Sequence, residues 1–173
     1  MDLWQQARLK WRLWRAGGRV EVAGGAALLG RIRFTGTGLV RIGAGARLDG
    51  RLSAIELRAG PGAELVLDEG VVVEPGVSIE ALLSVRIGAR CRIGAFCKVL
   101  DNDLHLVEGD RTVAPDSHPV LLEEEVILGP RVILLPGARL GRGTQVRPGV
   151  VFSHRAPAGA VVVGHPARVE LPA

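Results

Sequence analysis

The residues of this chain best suited to chemistry fall in one stretch, LDNDLHLVEGDRTVAPDSHPVL at 100–121, which holds His105 and His118, two of its four histidines. An imidazole titrates near neutrality, so His105 could take a proton from an attacking hydroxyl or amine and return one to a leaving group. Asp101, Asp103 and His105 alternate. An extended segment would point all three to one side, where Asp103 would orient the imidazole or hold a substrate hydroxyl. The plainer reading makes these acids solvated loop residues. His118 stands before Pro119 and either touches substrate or only shapes the turn. Zinc is disfavoured, because Asp101, Asp103 and His105 make a poor ligand set without a second histidine. Cys91 and Cys97 are too few for a disulfide framework and read as small buried hydrophobes.

The elements that must carry this stretch show a six-residue period. From Leu122, steps of six meet Leu128, Leu134, Leu140, Val146 and Phe152. Four residues after each stand Val126, Val132, Ala138, Thr144, Val150 and Ala156. The phase recurs upstream, with shifts of two, as Val22-Ala26, Leu28-Ile32, Phe34-Gly38, Ile42-Ala46, Leu48-Leu52, Leu67-Val71, Val73-Val77, Ile79-Leu83, Ile87-Cys91, Ile93-Cys97 and Val99. Helical periodicity cannot hold a six-residue phase this long, whereas short strands with alternate residues facing inward can. Gly and Pro between the units mark corners. Three units close a triangular coil of about 18 residues, and coils stack at the ~4.8 Å spacing of neighbouring strands. The prediction is an all-β solenoid over 20–173, interrupted by a loop at about 100–119. Insertions of this kind commonly carry function in repeat scaffolds.

These hexads resemble the hexapeptide-repeat acyltransferases, and that resemblance implies a left-handed parallel β-helix. A nearer similarity is to the maltose, galactoside and xenobiotic acetyltransferase branch. It rests on Asp101-Asn102-Asp103-Leu104-His105, His118-Pro119-Val120, Val126-Ile127-Leu128-Gly129, Leu134-Leu135-Pro136-Gly137 and the closing Val161-Val162-Val163-Gly164-His165-Pro166-Ala167-Arg168-Val169. The resemblance implies acetyl-coenzyme A as donor, His105 as general base, and a homotrimer with each active site between subunits. It implies a sugar or polysaccharide precursor as acceptor, by O- or N-acetylation. The γ-class carbonic anhydrases share the β-helix, but their histidine spacing is absent here and no metal is expected. The reading from another class is a non-catalytic β-helix used for assembly, which would not need the histidine loop.

On the family pattern the donor contacts fall on Gly129, Pro130, Pro148, Ser153, His154, Arg155 and Arg168. Pro130 and Pro148 are one coil apart and should stack on one edge. The family usually has small residues there, and proline lacks the N–H that could bond the pantetheine arm. His154 stands where the family usually has Lys. It or Arg155, with Arg168, would meet the phosphates; the alternative for the two arginines is plain surface.

Charge and aromatics are unevenly placed. The net charge is +4, and residues 1–19 hold Arg8, Lys10, Arg12, Arg15 and Arg19 against Asp2. The remaining chain is charge-balanced, which argues against a nucleic-acid footprint on the fold. All three tryptophans, Trp4, Trp11 and Trp14, lie in the same segment. Residues 2–16 read as a helix stopped at Gly17-Gly18, with Leu3, Trp4, Ala7, Trp11 and Trp14 within about a 100° arc. Two roles stay open for it: capping the first coil, or peripheral contact with a membrane surface. No apolar run approaches the ~20 residues of a span, so the expected location is cytoplasmic. High glycine (24 residues) and only 3% aromatics fit a narrow core of branched aliphatics.

Overall fold

A six-residue unit exposes one apolar edge, and the computed structural model shows how that edge is buried. It describes residues 19–103, 116–164 and 168–171, all strand, turn or irregular, with no helix among them. The chain coils as a parallel β-solenoid with three walls. The first wall stacks Arg19–Val22, Leu39–Ile42, Glu64–Leu67, Ser84–Ile87, Val120–Leu122, Arg139–Leu140 and Arg155–Ala156, in that order. These seven strands mark seven coils. The second and third walls are joined through two long strands, Ala27–Thr35 and Arg47–Ala59, that bend round the corner between them. The second wall continues as Val72–Val73, Arg92–Ile93, Ile127–Leu128, Gln145–Val146 and Val161–Val163. The third continues as Ser78–Ala81, Lys98–Leu100, Ile133–Leu134 and Val151–Phe152. At the far end Arg168–Glu170 folds back antiparallel on Val161–Val163, covering an otherwise open strand edge.

The register explains the period. Ile127 pairs with Gln145 and Ile133 with Val151, each eighteen residues on. Leu122, Leu128, Leu134, Leu140, Val146 and Phe152 are all buried, as are the six residues expected to follow them inward. Thr144 is the polar member, and its hydroxyl donates to the Pro157 carbonyl at 3.0 Å.

Two expected core residues point outward. Leu52 is 87% exposed. Gly30 pairs with Gly50 but Ile32 with Ile55, so the second coil carries three more residues at this corner, and Leu52 lies on that bulge. Leu83 is also exposed. It sits between the third and first walls, where the inward sequence passes from Ala81 to Val85.

The interruption falls between these same two walls, in the fourth coil, where Val85 pairs with Val120 thirty-five residues away. The proposed N-terminal helix (2–16) lies outside the described residues, as does the middle of the inserted loop (104–115).

Candidate active site

The base of the inserted loop is built at the corner between the third and first walls. Asp101 is fully buried. Its Oδ1 accepts the Leu82 N–H at 2.8 Å, and its Oδ2 accepts those of Leu83 and Ser84 at 2.7 Å each. The carboxylate thereby closes the preceding coil's corner. The expectation that Asp101 faces substrate beside Asp103 is corrected: the chain bends at 101–102, so Asp101 turns into the fold while Asp103 is exposed. Asn102 is buried, and its Nδ2 donates to Ser117 Oγ at 3.0 Å. The His118 N–H donates to the Asp101 carbonyl at 2.8 Å. Entry and exit of the loop are thus tied together. His105, the expected base, lies within 104–115, outside the described residues.

His118 is exposed, and its carbonyl accepts the Gly137 N–H at 3.0 Å, so it stacks over Pro136-Gly137 in the next coil. Ser153 and His154 turn the same corner one coil further on. Arg139 pairs with Arg155 only sixteen residues away, so this last corner is two residues short. Ser153 Oγ and His154 Nδ1 share a hydrogen bond at 3.1 Å. The His154 ring meets Phe152 edge-on at 6.1 Å. One edge of the prism therefore carries the loop base, His118, Ser153 and His154.

The other donor candidates are elsewhere. Gly129 and Pro130 turn between the second and third walls, and Pro148 turns directly beneath them: a Cβ on Gly129 would fall 2.7 Å from Pro148 N. The expected stacking of the two prolines is present. The Pro130 carbonyl accepts the Gly149 N–H at 3.0 Å, so it is engaged within the fold. Arg155 is on the first wall's outer face beside Arg139, and both line a shallow groove of ≈ 550 Å³. Arg168 pairs with Val163 on the second wall. The donor candidates thus lie on two different edges and two walls rather than along one edge of successive coils.

The cysteines are inert. Cys91 and Cys97 are buried, and their thiols donate to the carbonyls of Glu123 and Gly129 at 3.0 and 3.1 Å. Burial pushes each thiol up to about 11. Among the described residues no cluster of His, Cys, Asp and Glu is arranged to hold a metal ion.

The residue-type reading missed Phe96 and Arg131. Both have left-handed backbone, φ 60°, on the corner that holds Pro130. The available signal was in the hexads: Phe96 and Arg131 stand where neighbouring coils place Gly76 and Gly149.

No family model matches the chain. A 2,3,4,5-tetrahydropyridine-2,6-dicarboxylate N-acetyltransferase of Staphylococcus aureus is 42% identical over 55 residues, 32% of this chain and 23% of the relative. The chain spans about a quarter of the length of that curated relative. Among solved structures, the polySia-specific acetyltransferase NeuO superposes with a TM-score of 0.68 at 16% identity, covering 88% of this chain and 79% of that one. A galactoside acetyltransferase in complex with coenzyme A has a TM-score of 0.56 at 15% identity, covering 99% and 72%. The chain shares the fold of these hexapeptide-repeat acetyltransferases.

Proposed function

We propose that the protein transfers an acetyl group from acetyl-coenzyme A to a hydroxyl or amine of a sugar or polysaccharide precursor, as a homotrimer with active sites between subunits. The observation that carries this reading is the loop base. A solenoid used only for assembly has no need of a histidine-bearing insertion in its fourth coil, nor of a buried carboxylate, an Asn102–Ser117 bond and a backbone bond to His118 that hold its two ends. The similarity to NeuO and to the coenzyme A-bound galactoside acetyltransferase supports the donor and acceptor classes.

In this mechanism His105 accepts the acceptor's proton as its oxygen or nitrogen attacks the thioester carbonyl carbon. The carbon–sulfur bond then breaks, and the imidazolium returns the proton to the thiolate. Asp103, exposed at the loop's start, orients the imidazole or the acceptor. Gly129, Pro130 and Pro148 line the pantetheine arm. Ser153, His154 and Arg155 reach the donor from a second copy, because one prism cannot turn two edges toward one molecule. Arg168 meets the phosphates.

The test is thiol release from acetyl-coenzyme A with a panel of sugar acceptors. His105→Ala should lower turnover about 10²–10⁴-fold while coenzyme A still binds. Full activity in the variant removes His105 as base. No coenzyme A binding by the wild type would return the fold to a scaffold role.

A further inference from the structure

We propose that Phe96 and Arg131 form a ligand platform on the edge between the second and third walls, one that takes a ring bearing an anionic group. This rests on the acetyltransferase reading and deepens it. Along this edge Gly76, Phe96, Arg131 and Gly149 occupy one column, all at positive φ. Each backbone N–H donates to a carbonyl of the coil before: Ser53, Pro75, Ala95 and Pro130, at 3.3, 3.0, 2.8 and 3.0 Å. Left-handed backbone disfavours any residue with a Cβ, and glycine is its ordinary occupant. Strained positions of this kind gather at functional sites.

A second column, between the first and second walls, provides the comparison. There Gly70, Arg90, Glu125 and Gly143 repeat the pattern. Its two strained side chains account for each other, since Arg90 Nε donates to Glu125 Oε1 at 3.2 Å. Phe96 and Arg131 have no such partnership. Phe96 is 51% exposed. Arg131 is exposed and makes no ion pair among the described residues, whereas Arg51 on the same edge is neutralised by Asp49.

The ring is also seated. A Cβ on Gly76 would lie 2.4 Å from Phe96 Cδ1, so only glycine lets the ring lie against the corner. Glu74 Oε2 accepts the Ala95 N–H at 3.1 Å and fixes the turn that presents it. Arg131 is one coil below, about 4.8 Å along the prism axis, and follows Pro130 directly. A fixed exposed ring stacks on flat or apolar ring faces, and a neighbouring free guanidinium pairs with carboxylate or phosphate. Two sources offer both: the adenosine phosphates of the donor and an acidic sugar acceptor.

Calorimetric titration of the full chain with coenzyme A and with a sialic acid oligomer separates them. The variants are Phe96→Gly and Arg131→Gly, which relieve the backbone rather than strain it, and Arg90→Gly as the off-edge comparison. Phe96→Gly should weaken one of the probes about tenfold. Arg131→Gly should weaken the same probe and flatten its salt dependence. Arg90→Gly should change neither affinity, and melting midpoints should stay within about 4 °C of wild type. Weakening confined to coenzyme A places the donor on the platform; weakening confined to the oligomer places the acceptor there. Unchanged affinity for both probes in both edge variants overturns the platform and leaves the acetyltransferase reading standing. A wild type that binds neither probe overturns both.

Discussion

Asp101 is a carboxylate whose two oxygens are occupied by three backbone N–H donors inside the fold, and bonds to an ionised acceptor are the strong ones. Asp101→Asn replaces one acceptor oxygen by an NH2 group facing backbone N–H. The expected cost is about 3 kcal/mol, a melting midpoint lower by roughly 10 °C, read by thermal unfolding. A substrate contact at Asp101 would instead raise KM and leave the melt unchanged. The cysteines make a second residue-scale prediction. With each thiol pushed up from its ordinary 9.0 to about 11 by burial, the folded chain holds those protons longer than the unfolded one. Their contribution to stability is therefore complete below pH 9 and lost as pH rises toward about 11. Denaturant melts should show stability falling across that window, and less steeply in the Cys91→Ala/Cys97→Ala double variant. Native thiols should resist an aromatic disulfide reagent at pH 8 and react once urea unfolds the chain. Asp101 also marks the limit of reading a site from residue types. Alternation predicts that Asp101, Asp103 and His105 share a side, but it presumes a straight segment, and the chain bends at 101–102.

Between stacked coils the corners decide what each glycine is for. A Cβ on Gly94 would fall 2.7 Å from Gly129 C, Leu128 O and Pro130 N, so Gly94 permits close approach of backbones. Gly149 has nothing within 4 Å of its added Cβ and is needed for its φ of 74°. Gly94→Ala should destabilise by about 3 kcal/mol, Gly149→Ala by about 1 kcal/mol. Equal losses in chemical denaturation would show that the two glycines have one role. The strands themselves were legible because every inward position repeats at a fixed step, and Leu122 through Phe152 obey it without exception. Leu52 and Leu83 were not legible. A corner that gains residues keeps an apolar residue in phase on paper while turning it outward, and no change of residue type announces the bulge. The stacked prolines were legible, since Pro130 and Pro148 are separated by one coil and nothing is inserted between them.

At the scale of the molecule, charge and site geometry divide the solenoid along its length. In the upper coils most cations stand in ladders with acids, as in Arg41 with Glu21 and Glu64, Arg58 with Glu80 and Arg86 with Asp68. In the lower coils Arg131, Arg139, Arg147 and Arg155 make no ion pair among the described residues. Composition alone, balanced beyond residue 19, could not show this, because balance over a chain says nothing about pairing along a wall. The last coils thus carry a run of cations without acid partners among the described residues, and they hold the donor candidates on two edges and two walls. Closed cyclic symmetry brings unlike edges of identical chains together, which one chain cannot do for itself. For the proposed homotrimer, sedimentation should report about 55 kDa, three chains of 18.3 kDa. A mixing experiment tests whether the sites are shared. His105→Ala removes the base but leaves the Pro130 edge intact; Pro130→Glu places a negative charge on that edge, against the donor's phosphates, and leaves His105. Each variant alone should be inactive. Co-refolded in equal amounts, they should regain about a quarter of wild-type activity, because that share of interfaces joins an intact loop to an intact edge of another chain. A mixture as inactive as its parts would place the whole site on one chain and remove the reason for the assembly.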